Sequence, residues 1–200
     1  MRHALDSGLF EFVAVSSDSP EILDAARAAG AQLHIVRPDE LAGDHAGKLP
    51  AIQHAAREAE RMTGRHFDTF VDLCATSPLR NIDDIRACVA AVEQGEARNV
   101  ITVTPAHRSP YFNLVEVDAA GRVALAKKPV TPILRRQDAP ACYDMNASIY
   151  AWRREPFIDT PYLFAEDTAI HIMPRERSFD IDSPLDFEIV EMIMKKRLAG

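Results

Sequence analysis

Glycine is scarce in this sequence, with eight among 200 residues. Neither G-x-G-x-x-G nor G-x-x-x-x-G-K occurs, which excludes the two common glycine-rich phosphate cradles. Cysteine is scarcer still. Cys74, Cys88 and Cys142 are odd in number and far apart, so neither a disulfide framework nor a cysteine zinc site is expected. Their use fits a reducing, cytoplasmic compartment. Basic residues are outnumbered, 23 against 30, for a formal net charge of -7. That speaks against binding along a nucleic-acid backbone, although a few arginines and lysines with a metal ion can serve a nucleotide locally. No run approaches the roughly 18 to 20 apolar residues a membrane span needs. The opening MRHALDSGLFEF has no apolar stretch, so a signal peptide is not expected. Seven histidines, His3, His34, His45, His54, His66, His107 and His171, show no metal-ligand spacing.

What is present reads as an ordinary globular chain, 47% hydrophobic and 26% charged, long enough for one domain with a small lobe. Strand patterns at 10–18, 31–37, 67–74 and 99–105 alternate with helical patterns at 19–30 and 48–64 and with a loop and then a helix over 76–95. Ser19 and Pro20 start the first of these helices, and Gly30 closes it. This βαβαβαβ order predicts an α/β, doubly wound, mostly parallel sheet with helices on both faces. The pattern changes after residue 105. Residues 111–125 alternate around Ala120-Gly121, a hairpin signal, and 127–145 hold prolines that forbid a regular helix. Strands are expected at 146–152 and 168–174, and a last helix at 183–200 with Ser183 as cap. The division expected is an α/β domain over 1–110 and 166–200, with a β-rich dimerisation or sugar-binding arm over 111–165.

Four stretches could carry chemistry. In RSFDIDSPLDF, residues 177–187, a strand through Asp180-Ile181-Asp182 would aim both carboxylates to one side. Two like charges there call for a cation or a basic residue between them, and magnesium takes one or two carboxylates plus substrate oxygens and water. The alternative is that Asp182 or Ser183 simply caps the last helix, with Asp186 a first-turn charge. In ATSPLR, residues 75–80, Thr76 and Ser77 follow a strand's carboxyl end, where α/β folds bind ligands; plain helix entry with Asn81 as cap competes. Asp72 and Cys74 end the same strand. In RRQD, residues 135–138, the paired arginines suit a carboxylate or a phosphate, or form exposed ion pairs. In RPDELAGDHAGKLPAI, residues 37–52, Arg37 and Lys48 are the loop's cations.

Taken in order, VSSDSPEI, RPDELAGDHAGKLP, TSPLR, RRQDAP, NASIY and RSFDIDSPLDF resemble the acylneuraminate cytidylyltransferase family over almost the whole chain. KLPAI, DLCATSPLRNIDDI, RRQDAP and YDMNASIYAW look most like its legionaminic acid branch. The resemblance implies a nucleotidyltransferase fold and transfer of CMP from CTP to a nonulosonic acid, with release of pyrophosphate. It assigns Asp180 and Asp182 to Mg2+ and catalysis. Arg37, Ala46, Lys48, Thr76 and Ser77 fall to the nucleotide. Cys74, Arg136, Gln137, Asn146 and Tyr150 fall to the sugar acid, partly across a homodimer or a dimer of dimers. Two departures stand out. Cys74-Ala75 replaces the family's usual Gln-Pro, which points away from ordinary sialic acid. The family's first strand and its Arg-, Ser- and Lys-containing loop are not found, and by the family pattern they account for about 25 to 30 residues ahead of Met1. A catalytically impaired homologue that binds sugar nucleotide, or serves as a structural partner, is the alternative reading.

Overall fold

The protein is described by a computed structural model over residues 1–43, 45–95 and 97–199. Asp44 of the 37–52 loop, Glu96 and Gly200, the expected end of the last helix, lie outside the described residues. A short helix, α1 (Arg2–Ser7), precedes β1 (Ala14–Ser17), α2 (Pro20–Ala28) and β2 (Leu33–Val36). Next come α3 (Lys48–Thr63), β3 (Thr69–Leu73), α4 (Ile82–Glu93) and β4 (Asn99–Pro105). The hairpin β5 (Val115–Val117) and β6 (Val123–Leu125) follows, then β7 (Tyr143–Arg153), α5 (Arg154–Phe157), β8 (Thr168–Ile172) and α6 (Pro184–Leu198).

The helix starts are set locally. Ser19 accepts from Ile22 N at 3.3 Å, and Ser183 accepts from Asp186 N at 3.3 Å, each followed by proline. At α4, Asn81 and Asp84 exchange side-chain bonds in a capping box, with Asp84 N to Asn81 at 2.9 Å and Asn81 N to Asp84 at 3.0 Å. These bonds satisfy amides that the helix itself cannot. At the far end of α3, Gly64 adopts φ 68°, a left-handed closure that costs glycine little.

The main sheet has the order β3-β7-β4-β8. β4 and β8 are parallel, but β7 pairs antiparallel with both β3 and β4. The sheet is therefore mixed: β3, β4 and β8 run the same way, as expected of the α/β fold, and β7 is reversed between β3 and β4. The reversal follows from the connection. β4 ends at Pro105 and β7 begins at Tyr143 directly beside it, so the chain returns from the same end without a crossover helix. Within the expected 111–165 arm, β7 is a strand of the main sheet, whereas the β5–β6 hairpin shares no ladder with that sheet among the described residues. β1 and β2 form a separate parallel pair, with no ladder to β3 among the described residues.

Alternation along β7 builds both layers of the core. Ile149 and Ala151 face Ile85, Cys88, Val89 and Val92 of α4. Tyr150 and Trp152 face the opposite way, toward Ala56 of α3 and Phe157. Trp152 is fully buried, stacks on Phe157 at 4.5 Å and donates to Tyr162 O at 2.7 Å. Burial on both faces accounts for the nearly continuous apolar run of NASIYAW. No described helix is long and apolar enough to cross a membrane.

Candidate active site

The carboxyl ends of β3, β4 and β8 open on one side, joined by the start of β7. The acidic segment reaches this edge after β8, through a 3-10 turn at Arg175–Arg177. Here the structure corrects one expectation: Asp180-Ile181-Asp182 is not a strand. Among the described residues its one backbone tie to a neighbouring segment is Ile181 N to Thr76 O at 3.0 Å. Both aspartates nonetheless line one cleft, together with Thr104, Asn146, Ala147 and Ser178. Asp180 Oδ1 accepts from the fully buried Ser77 hydroxyl at 3.2 Å and from Ile181 N at 3.1 Å. Among the described residues no donor reaches Asp180 Oδ2 or the Asp182 carboxylate. Capping of α6 falls to Ser183. Asp186 receives the Ser183 hydroxyl at 2.6 Å, which holds its pKa below the ordinary carboxyl value.

This donor set fits a hard divalent cation. Two carboxylates with free oxygens face a cleft, and among the described residues no three His, Cys, Asp or Glu side chains could enclose a metal. A cation held here would complete its shell with water and substrate oxygens, the way magnesium is usually bound.

A second group of side chains gathers at the end of β3. Lys48 Nζ lies 3.1 Å from Asp72 Oδ2 and 4.7 Å from the centre of the Tyr150 ring. Partial burial works against the Lys48 charge, but Asp72, with Cys74 and Tyr150, outweighs it and raises the pKa. Asp72 Oδ2 is buried, with this lysine as ion partner and no donor in good hydrogen-bonding geometry. Tyr150 itself is only 2% exposed, so its ring supports Lys48 from beneath. Burial raises its pKa, opposed by the lysine. Cys74 Sγ and Thr76 Oγ1 are 3.1 Å apart. Arg80, 5% exposed, bonds the Cys74 carbonyl and donates to Ser148 Oγ at 3.0 Å. Burial presses on its charge, offset in part by Cys74, Asp72 and Asp180.

β7 carries an irregularity at the cleft. Ala147 has φ 52°, and the register with β4 shifts between Ile101 and Val103. A bulge of this kind re-aims the side chains around it. Asn146 is thereby buried against the acidic segment, donating to Ser178 Oγ at 2.9 Å and accepting from Ser148 N at 3.2 Å. The lining also carries Arg175, His107 and Asp144, with His107 N donating to Asp144 Oδ2 at 3.0 Å. Arg136 donates to the Ala106 and His107 carbonyls at 3.1 and 2.8 Å, and Arg175 lies 3.1 Å from His107 Nδ1. Arg108, then Arg175, depress the His107 pKa.

Of the residues singled out in the sequence, Asp180, Asp182 and Asn146 line the acidic cleft, while the Ser77 hydroxyl and the Thr76 carbonyl hold the acidic segment from behind. Lys48, Cys74 and Tyr150 meet at the adjoining end of β3, and Arg136 binds the backbone of Ala106 and His107 behind the cleft lining. Arg37 instead binds Ser16, donating to its carbonyl at 2.7 Å, and none of its contacts reaches the cleft. Ala46 N donates to Gly43 O at 2.8 Å within its own loop. Gln137 is exposed in a 3-10 turn at Arg136–Asp138. Sequence reasoning missed Arg80, Arg175 and the buried pair Asp84–Arg177. The spacing Asn81-x-x-Asp84 could have revealed the capping box, but no local signal joins Asp84 to a residue 93 positions away.

Residues 1–198 match the protein family described as "Cytidylyltransferase". The chain belongs to that family. As a cytidylyltransferase it is a nucleotidyltransferase enzyme. It is similar to post-translational flagellin modification protein B of Campylobacter coli, 39% identical over 194 residues, which is 97% of this chain and 81% of that protein. It is also similar to CMP-N,N'-diacetyllegionaminic acid synthase of Campylobacter jejuni, 38% identical over 191 residues, or 96% and 80% of the two chains. Among solved structures, CMP:2-keto-3-deoxy-manno-octonic acid synthetase complexed with CTP superposes with a TM-score of 0.65 at 16% identity, covering 98% of this cytidylyltransferase and 86% of that chain. The 4-diphosphocytidyl-2C-methyl-D-erythritol synthase of Anaerococcus prevotii gives 0.60 at 10% identity, covering 98% and 85%. These two share its fold.

Proposed function

We propose that this cytidylyltransferase moves CMP from CTP to the anomeric hydroxyl of a nonulosonic acid of the legionaminic type. The observation that carries this reading is the pair Asp180 and Asp182, with free carboxylate oxygens on one cleft that Arg175 and His107 also line. The named similarity to a CMP-N,N'-diacetyllegionaminic acid synthase supports the choice of acid, as does Cys74 in place of glutamine.

In the reaction proposed, the sugar hydroxyl oxygen bonds to the α-phosphorus of CTP. The bond from that phosphorus to the bridging oxygen breaks, and pyrophosphate leaves. Asp180 and Asp182 would hold Mg2+, whose chemistry is to neutralise triphosphate charge and to help the sugar hydroxyl to lose its proton. Ser77 fixes the rotamer of Asp180 by its hydrogen bond. Lys48 and Thr76 serve the nucleotide side in this reading, Ser77 acts through Asp180, and the contacts of Arg37 and Ala46 give neither a place there. Cys74, Arg136, Gln137 and Asn146 serve the sugar acid, and Tyr150 acts through Lys48. The planar guanidinium of Arg136 suits the acid's carboxylate. The exposed Val115, Val117, Val123, Val130 and Leu134 of the hairpin and its following loop support association of two copies, a homodimer or a dimer of dimers. Three free cysteines fit action in the cytoplasm,.

The test is pyrophosphate release from CTP and Mg2+, with N,N'-diacetyllegionaminic, pseudaminic, sialic and Kdo acids compared side by side. The expected result is fastest release with the legionaminic acid, abolished by a chelator. Release with another of these acids alone would overturn the choice of acid. Silence with all four would overturn the activity.

A further inference from the structure

Asp84 is 2% exposed, yet it is a carboxylate. Such a group stays charged inside a protein only when bonded on all sides, and Asp84 is. Its Oδ2 accepts from Asn81 N at 3.0 Å and from Arg177 Nε at 2.9 Å. Its Oδ1 accepts from Arg177 Nη2 at 2.8 Å and lies 3.1 Å from His171 Nε2. The Asp84 pKa falls well below the ordinary carboxyl value: burial opposes the charge, but His171, Arg177 and the Asn81 amide outweigh it.

The connections of this pair form a closed circuit. The loop with Thr76 and Ser77 leads into the Asn81 cap and hence to Asp84. Asp84 grips Arg177. Three residues beyond Arg177 is Asp180, which is bound back to Ser77, while Ile181 is bound to Thr76. Three residues span at most about 10 Å, so a shift of Arg177 reaches Asp180 with little slack. Between them, Ser178 is pinned by Asn146 at 2.9 Å and by the Pro174 carbonyl at 2.9 Å. Because the acidic segment has no strand ladder, these few bonds are what sets its height over the cleft.

We propose that the Asp84–Arg177 fork is a positioning device for the acidic pair, holding Asp180 and Asp182 at the separation a divalent cation requires. This rests on the reading of those aspartates as the cation site. The two residues touch neither substrate nor cation; they act through the 178–182 segment, as outer partners of metal-binding carboxylates do. Arginine is needed because its fork meets both oxygens of Asp84 at once, whereas lysine offers a single point charge.

The experiment measures Mn2+ affinity by water proton relaxation in the full chain with CTP present, alongside the Mg2+ concentration giving half-maximal pyrophosphate release. Four proteins are compared with wild type: Arg177→Lys, Arg177→Gln, Asp182→Asn, and Arg86→Ala as a control from an exposed ion pair on the same helix. Arg177→Lys is expected to weaken Mn2+ about tenfold and Arg177→Gln about 10- to 100-fold, with matching rises in the Mg2+ requirement and no change for Arg86→Ala. A purely structural role would lower the melting temperature and leave the affinity of the folded fraction unmoved. Should Gln prevent folding, the Lys variant still decides. Loss of Mn2+ in Asp182→Asn with both Arg177 variants within twofold of wild type would overturn the positioning role and leave the cation site standing. Absence of Mn2+ binding in wild type, or full binding in Asp182→Asn, would overturn both.

Discussion

Replacing Glu60 with glutamine tests how α3, whose first residue is Lys48, is fastened to the end of the sheet. Glu60 is 10% exposed and bound bidentately by Arg154, with Nε to Oε1 at 2.8 Å and Nη2 to Oε2 at 3.0 Å. Phe67 N adds a bond at 3.1 Å. The Arg154 bonds, against the opposing effect of burial and with help from Phe67 N, lower the Glu60 pKa from 4.5 to about 2. A drop of that size on folding corresponds to about 3 kcal/mol of stability at neutral pH. The sign follows from the direction: a folded pKa below the unfolded one stabilises fully above the unfolded value, and the contribution is lost as pH falls through the folded one. The wild type should therefore exceed Glu60→Gln by about 3 kcal/mol at pH 7, by about 2 kcal/mol at pH 3.5, and by under about 1 kcal/mol at pH 2. Urea unfolding at pH 7 and 3.5, followed by the fluorescence of Trp152, reads the difference. A gap below about 1 kcal/mol at pH 7, or one that does not shrink in acid, would refute the reasoning.

Asp182→Asn should cut the Mg2+-dependent rate at least about 100-fold with an unchanged melting temperature, because the side chain is exposed and carries no fold contact,; a wild-type rate would sink its assigned role. Cys74→Gln should move the ratio of kcat/KM values between legionaminic and sialic acids toward sialic acid by about tenfold, the effect of one added hydrogen bond. An unchanged ratio in a folded variant would remove Cys74 from the sugar side.

Much of this fold was legible because its signals are local. Ser19-Pro20 and Ser183-Pro184 start their helices as read, since a cap bond spans only three residues. The apolar run of NASIYAW announced a buried strand. Its direction was not announced: β7 runs against its neighbours because the excursion after Pro105 returns to the same end, and direction leaves no mark on a burial pattern. The acidic segment was misread for a related reason. Alternation in Asp-Ile-Asp suits a strand, but no neighbour lies alongside to pair with it, so it is held by Ser77 and Thr76 instead. Tyr150 shows the limit for single residues: burial under Lys48 is decided by α3, 102 positions away.

By itself, then, the chain's own chemistry determined the alternation of strands and helices, the caps, and the close spacing of the Asp180 and Asp182 carboxylates, because each depends on residues within a few positions. Only the tertiary structure decided the reversed central strand, the bulge at Ala147, the pairing of Lys48 with Asp72, and the grip of Asp84 on Arg177. Those depend on which segments meet in space. A buried charge finds its partner by geometry and desolvation together, and neither is written in the spacing of residues along the chain.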